Sequence, residues 1–391
     1  MPDSHERALK ALQKRGRLRT LSPRAGIDFS SNDYLGLASA PELAAAAAEA
    51  LARGVPLGAG GSRLLRGNHH EHEALEAEAA AFFKAETALF FGGGFQANYA
   101  LFATLPQRDD LVVHDELIHA SVHDGIRAGR ATALAANHND AQAFDDRITA
   151  WRARGGIGRP WIAVESLYSM DGDCAPLADL IAVADRHDGV LVLDEAHATG
   201  VFGPQGRGLG AAFEGRDNVV SLHTCGKALG ASGALVLAPA VLRDFLINRS
   251  RPFIYATAPS PLIAAVVRRA LAICGDEPQR RDTLRQRVGE FGRLASAKLG
   301  LALSGSQIQP FIVGGDGDAV ALAKAVRERG FDVRAVRPPT VPENTARLRI
   351  ALTLNATAED AARLVDAVAE SVEALGLQLV PRVPALAGMA R

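Results

Sequence analysis

Between residues 85 and 240 the chain repeats one pattern, a short apolar run of β-favouring residues followed by a stretch of helical period. The runs are TALFF (87–91), DLVVH (110–114), WIAVES (161–166), GVLVLDEAH (189–197), NVVSLHT (218–224) and GALVLAP (233–239). Runs of this length with helices between them predict an α/β domain around a mostly parallel sheet. One connecting helix is legible in PLADLIAVADRHDG, where Leu177, Leu180, Ile181 and Ala184 form one apolar stripe and Gly189 can end it. The C-terminal third reads differently. IQPFIVGG, FDVRAV and ARLRIALTL predict strands, and AVALAKAVRERG and TAEDAARLVDAVAESVEALG predict helices, the last with Thr357 and Asp360 placed for a capping box. This organisation predicts an N-terminal segment (1–40), a large α/β domain (41–279) and a small α+β domain (280–391). The alanine-rich stretch from Pro41 to Arg53 reads as an ordinary helix, and a long helical stretch over 258–300 leads into the small domain.

Charge and cysteines narrow the function classes. With 43 basic and 44 acidic residues the formal net charge is -1, so no global field draws the chain to nucleic acid or an anionic membrane. The start, MPDSHERALKALQKRG, has no apolar signal region, and PLIAAVVRRALAIC is cut by Arg268 and Arg269 before it could span a bilayer. Cys174, Cys225 and Cys274 are odd in number and widely spaced, as expected of reduced core residues. A cytoplasmic protein is the expectation.

The chemistry-bearing residues follow the strands. Ligands of open α/β sheets bind beyond the carboxyl ends of the strands. Asp194 ends one apolar run and His197 lies three residues on, in DEAH. The same letters occur in nucleotide hydrolases, but that reading needs a G-x-x-x-x-G-K-[ST] phosphate loop, which is absent here. FFGGGFQAN takes a strand through Gly92, Gly93 and Gly94 into a helix near Phe95, and free N–H groups at such a start suit a phosphate. ELIHAS supplies His119, YSMDGD supplies Ser169, and HTCGKALG supplies Thr224 and Lys227. Lys227 is one of only six lysines in a chain that otherwise uses arginine. A desolvated lysine can lose its proton and act as a nucleophile, which an arginine cannot. His69, His70 and His72 lack metal-ligand spacing and read as a helix start; no metal is expected. Each signal has a bland structural alternative, a cap, a turn or a core histidine, but all fall on one sheet edge. Pyridoxal 5'-phosphate chemistry needs such a set: a lysine amine, a carboxylate for the ring nitrogen, and glycine backbone and hydroxyls for the phosphate.

In order along the chain, FSSNDYLGL, GAGGSRLLRG, GGGFQAN, SMDGDCAPL, LDEAHATGVFGPQGRG, TCGKALG and RPPTVP…ARLRIAL resemble the α-oxoamine synthases. The resemblance covers nearly the whole chain. It implies a fold-type I, aspartate aminotransferase-like architecture, a homodimer, and decarboxylative condensation of an amino acid with an acyl thioester. RPPTVP and IQPFIVG favour a member that joins L-alanine to a pimeloyl thioester, on coenzyme A or an acyl carrier protein. The alternatives within the family are glycine C-acetyltransferase and 5-aminolevulinate synthase. By resemblance, Lys227 holds the cofactor and serves as the base, and Asp194 pairs with its pyridine nitrogen. His197 bonds its phenolic oxygen, and His119 stacks on the ring and faces the substrate. Ser169, Thr224, Gly94 and Phe95 contact the cofactor. Arg349 takes the amino-acid carboxylate, and Thr340 and Arg19 lie at acyl-substrate positions, with a shorter segment than usual between Arg19 and FSSNDYLGL. Strand alternation puts Arg347 on the same face as Arg349, and Arg347 reads as a solvated surface charge. Cys225, His223 and Ala258 depart from the family's usual residues.

Overall fold

The structure is a computed structural model that describes residues 3–302 and 304–380. The chain packs as two units, one of Leu35–Ser169 and Cys174–Arg281, the other of Met1–Tyr34, Met170–Asp173 and Asp282–Arg391. The stretch 381–391 of the expected small domain lies outside the described residues.

The first unit is built on a seven-stranded sheet. Its spatial order is Thr87–Phe91, Ala234–Ala238, Val219–Thr224, Val190–Asp194, Pro160–Glu165, Leu111–Asp115 and Thr132–Ala136. Ala234–Ala238 runs antiparallel to both neighbours, and the other strands are mutually parallel. Both faces are covered. Val190 and Val192 enter one buried cluster with Leu101 and Val122, while Leu191 and Leu193 enter another with Leu180 and Ile181. Burial on both faces explains why these strands read as continuous apolar runs without alternation. The expected helix at PLADLIAVADRHDG is Leu177–Arg186. The stretch expected as one long helix over 258–300 divides into Pro261–Asp276 and Pro278–Leu299. Pro278 has no N–H to continue the first helix and instead opens the second.

The second unit holds a three-stranded antiparallel sheet in the order Ala335–Val336, Ala346–Ala351, Ile308–Gly314. FDVRAV is not one strand. Phe331–Asp332 pairs in parallel with Ile27–Asp28, and only Ala335–Val336 joins the three-stranded sheet. The N-terminal segment is tied in by its backbone: Phe29 N donates to Asp332 O (3.1 Å), Ala351 N to Phe29 O (2.9 Å) and Leu354 N to Tyr34 O (3.0 Å). The closing helix, Ala358–Ala374, carries the expected capping box between Thr357 and Asp360. No described helix is long and apolar enough to cross a membrane.

Candidate active site

In the first unit, parallel strands deliver their last residues to one edge of the sheet. Asp115, Glu165, Asp194 and Thr224 are the final residues of four adjacent strands, and all four are buried. Asp194 is held on both oxygens. Asn98 Nδ2 donates to Oδ2 at 2.7 Å and the Ala196 amide donates to Oδ1 at 2.9 Å. These donors fix its rotamer. Lys227 Nζ lies 2.8 Å from Nε2 of His197, a histidine that is itself buried.

The turn that presents Lys227 is tight. Cys225 N donates to Gly233 O, Ala231 N to Cys225 O and Gly230 N to Lys227 O, each at 2.9 Å. Gly230 has φ +64°, and a Cβ there would sit 2.4 Å from the Leu37 carbonyl carbon. Only glycine meets both conditions. Thr224 lies across from Gly94, where an added Cβ would reach Thr224 Oγ1 at 3.6 Å. The helix Gly94–Thr104 starts at this point, so its first N–H groups are open to an anion. Gln96 secures the turn by accepting from Gly92 N (3.0 Å) and donating to Pro252 O (2.7 Å).

His119 caps the helix Ala120–Ala128. Its Nδ1 meets Ser121 Oγ at 2.7 Å, and its ring stands edge-on to the exposed Phe95 ring with centroids 6.5 Å apart. The protein atoms around its ring lower its pKa, the Asp194 charge works against this, and Lys227 adds to it. A neutral imidazole results. Ser169 is held through its backbone, its N–H donating to Glu165 Oε2 at 2.9 Å.

Arg19, Thr340, Arg347 and Arg349, also singled out in the sequence, lie in the second unit. Arg349, buried in its strand, donates from Nη2 to the Tyr34 hydroxyl (3.3 Å), which in turn donates to Asn32 Oδ1 (3.0 Å). Arg19 and Thr340, 321 positions apart and both exposed, approach to 3.4 Å between Nη2 and Oγ1. Arg347 corrects the sequence reading. It is only 3% exposed and paired with Asp171, and it also donates to Met170 O. Its face of the strand is covered by the turn 170–173, not by solvent. Burial pulls its pKa down to about 10, and Asp173 opposes the shift.

Several functional-looking residues carried no isolated sequence signal. Asn98 lies one helical turn beyond Gly94 and is visible only once Asp194 is placed beside it. Asp115 accepts from His138 Nδ1 (2.9 Å) and from the amides of Leu117 (2.8 Å) and Asn139 (2.9 Å). Burial opposes its ionisation, but His138 and these amides hold its pKa low. The shared cue was available: three apolar runs each close on a carboxylate. Glu195, the second letter of DEAH, is structural. Its oxygens accept from Ser166 Oγ (2.6 Å), Leu209 N (3.1 Å) and Gly210 N (2.5 Å). His69 and His72 form the two halves of a capping box on the helix His70–Phe83.

The departures from the expected motif are also packing residues. His223 is fully buried, 2.8 Å from Thr199 Oγ1 and 3.0 Å from Ser221 Oγ, and desolvation pushes its pKa down to about 3. Burial pushes the Cys225 thiol up, which leaves it unreactive. Ala258 is buried and donates its N–H to Gly61 O at 2.9 Å.

The arrangement joins an amine beside an imidazole, an anchored carboxylate and an open helix start in one fold. The family model for aminotransferase class I and II matches residues 24–368, and the chain belongs to that family. An 8-amino-7-oxononanoate synthase of Anaeromyxobacter dehalogenans (strain 2CP-1 / ATCC BAA-258) is 41% identical, with 97% of each chain covered. One from Marinobacter nauticus is 40% identical over 94% of this chain and 92% of its own. Among solved structures, Sphingomonas wittichii serine palmitoyltransferase superposes with TM-score 0.86 at 27% identity, covering 96% of this chain and 98% of its own. An 8-amino-7-oxononanoate synthase from Francisella tularensis superposes with TM-score 0.76 at 28% identity, covering 90% and 99%. A structure of SPT with PLP as its internal aldimine superposes with TM-score 0.86 at 25% identity, covering 96% and 98%.

Proposed function

We propose that this chain is a pyridoxal-phosphate-dependent acyltransferase that condenses L-alanine with a pimeloyl thioester, the 8-amino-7-oxononanoate synthase reaction of biotin synthesis. The net reaction joins the alanine Cα to the acyl carbonyl, releases the thiol and carbon dioxide, and yields 8-amino-7-oxononanoate. The observation that carries the cofactor part of the reading is the Lys227–His197 contact on the same sheet edge as Asp194. The donor set fits the cofactor: an amine for its aldehyde, a fixed carboxylate for its ring nitrogen, and a helix start with Thr224 for its phosphate. The relatives at 40–41% identity support the substrates.

Bound there, pyridoxal phosphate supplies an electron sink for charge developing at the amino-acid Cα. The chain's own residues supply the rest. Lys227 takes and returns the proton at Cα, a role worth roughly 10²–10⁴-fold in rate. Asp194, its rotamer locked by Asn98 and the Ala196 amide, keeps the ring nitrogen protonated. His197 orients the lysine amine and bonds the phenolic oxygen. His119, its pKa lowered by burial, would lie against the ring. Arg349, held by Tyr34, takes the amino-acid carboxylate in a charge-assisted pair. Arg19 and Thr340 serve the acyl substrate. The acyl group arrives on coenzyme A or an acyl carrier protein. The working form is a homodimer in the cytoplasm, a compartment in keeping with three cysteines that form no disulfide.

Thiol release across a panel of amino acids and acyl thioesters tests the reading. Alanine with a pimeloyl thioester is expected to be the fastest pair. A faster rate for glycine with an acetyl or succinyl thioester would move the protein to glycine C-acetyltransferase or 5-aminolevulinate synthase.

A further inference from the structure

Three carboxylates end three adjacent strands at the floor of the site: Asp115, Glu165 and Asp194. Glu165 stands in the middle strand and is in register with Asp194 on the neighbouring parallel strand, so their side chains share one face of the sheet. The three differ in how many donors they receive. Asp115 accepts from His138 and two backbone amides, and Asp194 accepts from Asn98 and a backbone amide. Among the described residues Glu165 accepts only from Ser169 N, on Oε2. Its Oε1 is fully buried and has no hydrogen-bond partner among the described residues.

Like charges this close do not all ionise, and the proton goes to the group whose charged form has the fewest donors. We propose that Glu165 works as a protonated carboxylic acid, a positioning residue that holds the Ser169 turn in place and leaves Asp194 as the charged group that would pair with the cofactor's ring nitrogen. The inference rests on the pyridoxal-phosphate reading. The groups facing Glu165 are Asp194 and Asp115 on the flanking strands, Lys227 from the turn after a third strand, and the Ser169 amide. Burial and then the Asp194 charge raise the Glu165 pKa to about 8, while Lys227 and the Ser169 amide oppose the shift. At neutral pH the proton is therefore in place. A neutral Glu165 keeps the acceptor that Ser169 N–H needs, and it does not compete with Asp194 for the ring's positive charge.

The test compares wild type with Glu165→Gln and Glu165→Ala as holoenzymes. Glutamine keeps the shape and the acceptor and can never ionise. The Glu165→Gln variant is expected to keep the cofactor dissociation constant within about threefold and to leave the pH midpoint of the visible cofactor band unmoved. In the infrared, wild type at pH 7 is expected to show a protonated-carboxyl band that the glutamine variant lacks. Glu165→Ala removes the carboxyl acceptor of the Ser169 amide and is expected to weaken cofactor binding by about tenfold or more. If Glu165 is instead ionised, glutamine removes a negative charge near Lys227, and the band midpoint falls by about one pH unit or more. That fall, or the absence of the infrared band from wild type, would overturn the inference while leaving the cofactor reading intact. A wild-type protein that takes up no pyridoxal phosphate would overturn both.

Discussion

The two sheets of the molecule place their polar residues by different rules. In the mostly parallel seven-stranded sheet both faces are largely apolar, with His114, Ser221 and His223 as buried polar exceptions, and the candidate site residues gather at the strand ends, where Asp115, Glu165, Asp194 and Thr224 line up. In the three-stranded antiparallel sheet one face is apolar, with Leu348 and Ile350 fully buried, and the other carries Arg347 and Arg349 in mid-strand. Those arginines are buried too, because the turn 170–173 and Tyr34 supply partners for them. The strand-end carboxylates are buried, and Asp115 and Asp194 draw on side-chain and backbone donors from beyond the strands. A mid-strand cation needs a dedicated partner, and its loss leaves a stranded charge. Mutations in the first sheet are therefore expected to strike chemistry, and those in the second to strike stability or substrate affinity.

The largest effect is expected for Lys227→Ala. It should remove the visible cofactor band and cut turnover by at least the order of 10²–10⁴-fold assigned to a positioned base, with little change in thermal stability. Full turnover in this variant would break the assignment of chemistry to the strand ends. Arg347→Met is expected to do the reverse. Stranding Asp171 should cost about 3–5 kcal/mol in denaturant unfolding, and most of that should return in the Arg347→Met/Asp171→Leu double variant. Arg349→Gln, on the same strand, should raise KM for the amino acid by about 10- to 100-fold, with a smaller change in kcat and in stability. If Arg347 and Arg349 proved interchangeable in these measurements, the distinction between the two arginines would fail.

The smallest effect is a slope with pH. Burial raises Glu165 to about 8 and Glu195 to about 7, so the folded chain retains protons that the unfolded chain releases above the ordinary value of 4.5. Stability from these groups is present at low pH and is lost as pH rises through about 7–8. His223, pushed down to about 3, gives the opposite slope, but only below its ordinary value of 6.5. Tm at saturating cofactor is thus expected to fall between about pH 6.5 and 8, and Glu165→Gln should flatten the fall.

How much of this was legible in the sequence follows the same division. The apolar runs of the large sheet and the residues just beyond them are local signals, and Lys227, His197, Asp194, His119 and Ser169 stood out there as candidates whose roles came from the family resemblance. Asn98 carried no such signal, because its meaning depends on a neighbour brought alongside by the fold, and Glu165 showed only as a carboxylate closing an apolar run. Arg347 misled because alternation reports which face a residue is on, not what covers that face. FDVRAV misled because a six-residue run with Phe331, Val333 and Val336 does not reveal that the chain leaves one sheet for another after Asp332. Pro278, which divides the long helical stretch, was in plain view, and its missing N–H is reason enough for the break.

The most direct measurement is to reduce the cofactor-loaded protein with borohydride and map the pyridoxyl group by peptide mass. The account predicts a single modified peptide, with the group on Lys227. Modification at Lys10, Lys14, Lys84, Lys298 or Lys324 in its place, or no modification at all, would contradict it.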